Sequence, residues 1–184
     1  NKKAIQYYQQ AETAFKQWEL VIAEKNLGNS VKADPDFIEA WLLLGDVSTE
    51  MKQYASAAKA YQKAINLDPN HLEAHQLLAG LHTGMNQLKE ATSHYEKIIA
   101  LDPANQEAVI FLATLYAQQG DCAKAISLLK NLLKKQPEQF IAHFYLGKCY
   151  IEMGQLSEAK REFQQALHVR PDFLPAMLEM GFAY

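Results

Sequence analysis

Residues 41–69 read WLLLGDVSTEMKQYASAAKAYQKAINLDP, and this stretch decides the fold. Trp41, Leu44, Gly45 and Ser48 recur at spacings of three and four, which marks one face of a helix. Ala57, Tyr61 and Ala64 mark one face of a second helix. Small residues let two backbones approach, and large ones fill the space beside them. Two helices packed on each other are the reading of this stretch.

The stretch is one copy of five. Pro35, Pro69, Pro103, Pro137 and Pro171 stand 34 residues apart, with a sixth proline at Pro175. Ala23, Ala57, Ala91, Ala125 and Ala159 keep the same period, as do Leu27, Tyr61, Tyr95, Leu129 and Phe163. So do Ala11, Gly45, Ala79, Ala113 and Gly147, continued by Gly181. A fixed period of this length is the signature of a repeat array. Gly120-Asp121 and Gly154-Gln155 read as turns between paired helices, and Asn86 suits the same role. Lys52 is a poorer turn residue, and Trp18 stands where a turn glycine is expected. Asp-Pro at 34–35, 68–69 and 102–103 is expected to end one helix and cap the next, with proline in the first turn. Gly28 is expected to interrupt the second helix of the first copy, an atypical cap.

This pattern resembles the tetratricopeptide repeat family. The best match is Trp41-x2-Leu44-Gly45, Ala57-x3-Tyr61-x2-Ala64 and Leu67-Asp68-Pro69. Leu146-Gly147-x2-Tyr150, Ala159-x3-Phe163-x2-Ala166 and Pro171 echo it. The resemblance covers nearly the whole chain and implies an all-α, right-handed superhelical α-solenoid of antiparallel helix pairs. The units fall at about 4–37, 38–71, 72–105, 106–139 and 140–173, with a half unit at 174–184, in a single array. The opening at Asn1 and the missing partner of the last helix are expected of a piece of a longer protein.

Composition removes several function classes. The chain has 184 residues, with 18 basic against 21 acidic, a net charge of −3. No basic field exists to hold a nucleic-acid backbone. No run of about 20 apolar residues is present to insert in a membrane. Cys122 and Cys149 are too few for a disulfide framework. The compartment is open on this evidence.

No motif for phosphate binding, zinc proteolysis or a nucleophile elbow occurs, so catalysis and cofactors are not expected. His71, His75 and His82 fall at spacings that a divalent metal could use. His75, however, occupies the column of Trp41, and His82 that of Tyr150, so packing is the reading adopted and no metal is expected. Cys149 reads as a small packing residue. Lys130, Lys134 and Lys135 read as a solvated helix end favoured by the helix dipole.

The resemblance also implies that first helices line a concave face that takes a peptide or helix. Columns one turn from the packing positions place Glu39, Leu42, Asp46, Glu73, Gln76, Glu107, Ile110, Ile141, Phe144, Lys148, Ile151, Leu178 and Phe182 on that face. Its early part is acidic and its later part apolar, so the expected partner is a protein segment with basic and apolar residues. Glu39, Glu73 and Glu107 would also serve helix starts through the dipole. The Lys/Asn clamp of chaperone-tail binders is absent, because Tyr8, Glu12, Leu42 and Asp46 fill its columns. The leading function is a protein–protein interaction scaffold that assembles or recruits a larger complex. The competitors are a substrate-presenting arm of a larger enzyme such as a glycosyltransferase, and self-assembly through the unfinished last helix.

Overall fold

A computed structural model describes residues 1–182, with side chains to Gly181. The described residues fold into helices and turns. The chain forms two compact units, Asn1–Gln87 and Leu88–Tyr184. The first contains α1 (Lys2–Lys16), α2 (Leu20–Ala33), α3 (Ile38–Glu50), α4 (Tyr54–Leu67) and α5 (Leu72–Gly84). The second contains α6 (Leu88–Leu101), α7 (Gln106–Gln118), α8 (Cys122–Lys135), α9 (Phe140–Glu152), α10 (Leu156–Val169) and α11 (Leu174–Phe182). From Leu20 onward every second helix starts 34 residues after the last, and from Ile38 so does every first helix.

The second helices show why. Each buries residues at spacings of four and then three: Ala23, Leu27 and Ser30 in α2, and Ala57, Tyr61 and Ala64 in α4. Ala91, Tyr95 and Ile98 repeat this in α6, Ala125, Leu129 and Leu132 in α8, and Ala159, Phe163 and Ala166 in α10. Each stripe packs against neighbouring helices and is anchored by one large side chain, whose full burial is worth about 1.5–3 kcal/mol. Phe163 and Leu27 are among the largest fully buried side chains. In the first unit α1 packs on α2 and α3 on α4, and α1 also touches α3. In the second unit α7 packs on α8 and α9 on α10, and α7 touches α9. First helices therefore lie side by side within each unit.

Five turns between consecutive helices share one geometry. Trp18, Lys52, Asn86, Gly120 and Gly154 all take a left-handed backbone, with φ of 61, 59, 57, 81 and 73°. In each, the following N–H bonds the carbonyl five residues back: Glu19 to Ala14, Gln53 to Ser48, Gln87 to His82, Asp121 to Tyr116 and Gln155 to Tyr150, at 2.8–2.9 Å. This is a Schellman closure. The expected interruption at Gly28 is corrected: Gly28 lies within an unbroken α2, and Ser30 Oγ donates to the Ala4 carbonyl at 2.9 Å, tying α2 to α1.

The Asp-Pro pairs also differ from expectation. Asp34 and Asp68 end α2 and α4, and the prolines sit in the turn that follows. The aspartates close that turn instead of capping the next helix. Asp68 Oδ1 accepts from the Asn70 N–H at 2.9 Å, and Asp102 Oδ1 from the Ala104 N–H at 3.1 Å. The side-chain caps of α5 and α7 are His71, through Nδ1, and Asn105.

The proline turns are clasped from above. Trp41 Nε1 donates to the Pro35 carbonyl at 2.7 Å. His75 Nε2 lies 3.1 Å from the Pro69 carbonyl, and His143 Nε2 2.9 Å from that of Pro137. A carbonyl only accepts, so both histidines carry a proton on Nε2. The equivalent residues of the remaining two turns are Val109, six residues after Pro103, and Met177, six residues after Pro171.

Candidate partner-binding faces

In the first unit the first helices α3 and α5 border a cavity of about 860 Å³. Asp46 and Glu50 reach it from α3, and Glu73 and Gln76 from α5. Leu77 and Leu81 supply an apolar wall. Gly80 opens it, since a Cβ there would meet nothing within 4 Å. Three carboxylates line the space, and no lysine or arginine does.

Asp46 is held in place from behind. Tyr61 Oη donates to Asp46 Oδ1 at 2.7 Å and lies 3.4 Å from Thr49 Oγ1. Burial pushes the Asp46 carboxyl up, with Glu73 and Glu50 adding to the shift and the Tyr61 hydrogen bond opposing it. Burial also pushes the Tyr61 phenol well above its ordinary value, so it stays a donor. A half-buried carboxylate with like charges beside it favours a cation as its partner.

The structure thus brings Asp46, Glu73 and Gln76 together. Glu39 is exposed in the first turn of α3 and lines a separate cleft with Asp36, Phe37 and His71. Leu42 does not reach an open face. It is 7% exposed and sits in a core cluster with Ala57, Tyr61 and Leu78. Pattern reading missed Phe15, Leu77, Leu81 and Met85, which line the cavity. The run Glu73, Leu77, Leu81 at four-residue steps was the available signal.

The second unit presents a different face. Glu107 is exposed in the first turn of α7, and Ile110 is half-buried. Ile141 and Ile151 on α9 are half-buried, and Leu178 on α11 is exposed. Phe144 is occupied by packing: its ring lies 5.2 Å from Phe173, 5.4 Å from Tyr145 and 5.9 Å from Phe163. Lys148 Nζ stands 3.5 Å from Glu179 and 5.9 Å from the Phe144 ring centre. The side chain of Phe182 lies outside the described residues.

The reactive-looking residues have separate partners. His71 caps α5, His75 clasps Pro69, and His82 Nδ1 lies 2.6 Å from Gln87 Oε1. Among the described residues no three of His, Cys, Asp and Glu gather to hold a metal. Cys122 Sγ donates to Glu152 Oε2 at 3.0 Å. Burial, Glu152 and Cys149 push that thiol up to about 12, and burial raises Cys149 as well. Among the described residues no helix is long and apolar enough to cross a membrane.

Residues 6–139 match the family model described as the cytochrome c-type biogenesis protein H TPR domain, and residues 117–180 match a second tetratricopeptide repeat model. No curated protein matches the chain significantly. Solved structures are similar in fold. YrrB, described as a TPR protein with an unusual peptide-binding site, is 20% identical, with 97% of this chain and 93% of that one covered and a TM-score of 0.85. A tetratricopeptide repeat protein from Parabacteroides merdae is 17% identical, with 100% and 73% covered and a TM-score of 0.86. MamA from Desulfovibrio magneticus is 20% identical, with 94% and 98% covered and a TM-score of 0.79.

Proposed function

Because the chain belongs to the tetratricopeptide-repeat family of cytochrome c-type biogenesis protein H, we propose that it is an interaction scaffold that holds a partner polypeptide during the assembly of c-type cytochromes. It acts by binding and positioning, and no bond-making step is assigned to it. The observation that carries this reading is the cavity between α3 and α5, with Asp46, Glu50 and Glu73 and no basic side chain. It suits a lysine or arginine whose aliphatic stem lies on Leu77 and Leu81.

The second unit offers the apolar component of the same recognition. Ile110, Ile141, Ile151 and Leu178 are the anchor positions, with Lys148 as a cation and Glu107 at the margin. Apolar anchors supply most of an interface's energy, and charges steer and select. The partner is therefore a segment with basic and apolar residues. The description of YrrB as having a peptide-binding site supports a peptide ligand on this fold.

Calorimetry with a synthetic peptide of alternating lysine and leucine tests this, beside its counterpart with glutamate for lysine. The basic peptide is expected to bind, to weaken with added salt, and to weaken in Glu50→Gln/Glu73→Gln. Both residues are exposed, so the variant keeps its core. Equal binding of both peptides, or unchanged binding in the variant, overturns the assignment of this cavity.

A further inference from the structure

A cleft of about 270 Å³ opens in the second unit beside Val109. Ile99, Pro103, Leu128, Leu132 and Lys135 line it, together with the amides of Gln106, Asn131 and Gln136. Its position in the repeat explains it. Val109 takes the place that Trp41, His75 and His143 take in three other copies, at 34-residue steps, with Met177 in the last. Those three rings reach the carbonyls of Pro35, Pro69 and Pro137. Val109 has no ring and no donor, so the space above Pro103 is left open.

The neighbours decide which ring would fit. Leu128 stands in the register of Glu162 and of Ala60. Where that register holds Glu162, the ring is His143, and Glu162 takes up its second nitrogen at 2.6 Å. Where it holds apolar Ala60, the ring is Trp41, with one N–H on the proline carbonyl. Leu128 is apolar, so the open slot matches the indole pattern: one donor toward Pro103 and an apolar edge toward Leu128, Leu132 and Ile99. An apolar cavity of about 150 Å³ suffices to hold benzene. Lys135 is the one charged lining residue and none is acidic, which favours a negative group next to the ring.

We propose that the cleft between Pro103, Val109 and Leu128 is a binding slot for the tryptophan side chain of a partner polypeptide, with an acidic residue beside that tryptophan at Lys135. The partner supplies the ring that the Trp41, His75 and His143 copies carry themselves. This site is separate from the acidic cavity between α3 and α5 and does not depend on it.

The test is methyl NMR of the whole chain with N-acetyl-Trp-Asp-amide, N-acetyl-Phe-Asp-amide and N-acetyl-Trp-Lys-amide. The first is expected to shift the methyls of Ile99, Val109, Leu128 and Leu132 saturably. The phenylalanine probe, which lacks the ring N–H, and the lysine probe should bind several-fold more weakly. Val109→Trp fills the slot from within, so it should raise the melting temperature and reduce binding about tenfold or more. Should that variant not fold, Leu128→Glu replaces it, because a carboxylate in the wall rejects the apolar ring edge. Absence of saturable shifts at millimolar N-acetyl-Trp-Asp-amide overturns the proposal. So does equal affinity for all three probes, or unchanged affinity in the blocking variant.

Discussion

The ring of Tyr61 on α4 lies against the bare Cα of Gly45 on α3, so close that a Cβ at Gly45 would come within 2.2 Å of Tyr61 Cε1. Gly147 and Phe163 repeat the relationship at 2.7 Å. Gly45→Ala is therefore expected to destabilise the protein by about 1–3 kcal/mol through overpacking. Tyr61→Leu alone should also destabilise, by loss of buried area and of the Asp46 bond. Together the two should cost less than their sum, by about 1 kcal/mol or more. Urea midpoints of the four proteins measure this, and strict additivity would show that the contact is not what requires glycine.

His143 gives stability a pH dependence. Burial would lower its pKa, but the Glu162 carboxylate and the Pro137 carbonyl outweigh that and leave it raised. Both nitrogens face acceptors, Pro137 at 2.9 Å and Glu162 at 2.6 Å, which is a geometry for the charged ring. A folded pKa above the unfolded one means that protonation favours the fold. The contribution is complete below the ordinary histidine value and disappears as pH rises through the raised folded value. Unfolding midpoints followed between about pH 5 and pH 9 should fall in this window. In Glu162→Gln that fall should shrink, and an identical profile would count against the pair.

The thiols should be silent in the native protein. With Cys122 pushed up to about 12 and Cys149 raised, the thiolate fraction at neutral pH is small. Both are also buried. Iodoacetamide at neutral pH is expected to add nothing to the folded chain and to label both cysteines in urea, read by mass. Rapid labelling of the native protein would mean that the α8–α9 contact opens readily.

Lys52 is strained where Gly120 and Gly154 are not. A left-handed backbone costs an L-residue roughly 1–2 kcal/mol, against roughly 0.5–1 kcal/mol of extra chain entropy for glycine. Lys52→Gly, at an exposed turn with φ of 59°, should therefore stabilise by about 0.5–1 kcal/mol. A lower melting temperature would show that the lysine side chain contributes more than its backbone costs.

The helix pairs were legible in the sequence because burial at spacings of four and three leaves a periodic trace, as at Ala57, Tyr61 and Ala64. The turn at Trp18 was legible only as an anomaly. Its left-handed backbone is imposed by the hydrogen bonds from the Trp18 and Glu19 N–H groups, and side-chain identity does not report them. The role of Asp68 was misread because a carboxylate before proline can serve the helix behind it or the one ahead. Which neighbour it bonds is a matter of backbone direction. On the acidic face, Asp46, Glu73 and Gln76 were legible as positions one turn from the packing columns. Leu42 was not, because in this packing its side chain turns into the core with Tyr61. The slot beside Val109 was invisible, since a missing ring leaves no residue to notice.

The glycine–aromatic contacts also limit how such a chain can be rearranged. Copies that share a 34-residue period look exchangeable, yet the two glycine copies are keyed in size. Gly45 accepts Tyr61 and Gly147 accepts Phe163, while Ala113 stands in the same column with Leu129. A chimera that joined the first helix of the Ala113 copy to the second helix of the Tyr61 copy would set a methyl into an aromatic ring. The reverse exchange would leave a void beside glycine. The two glycine copies can therefore change at Gly45 or Gly147 only together with Tyr61 or Phe163, whereas Ala79 stands in the same column with Tyr95, and a module taken from a glycine copy must carry both of its helices.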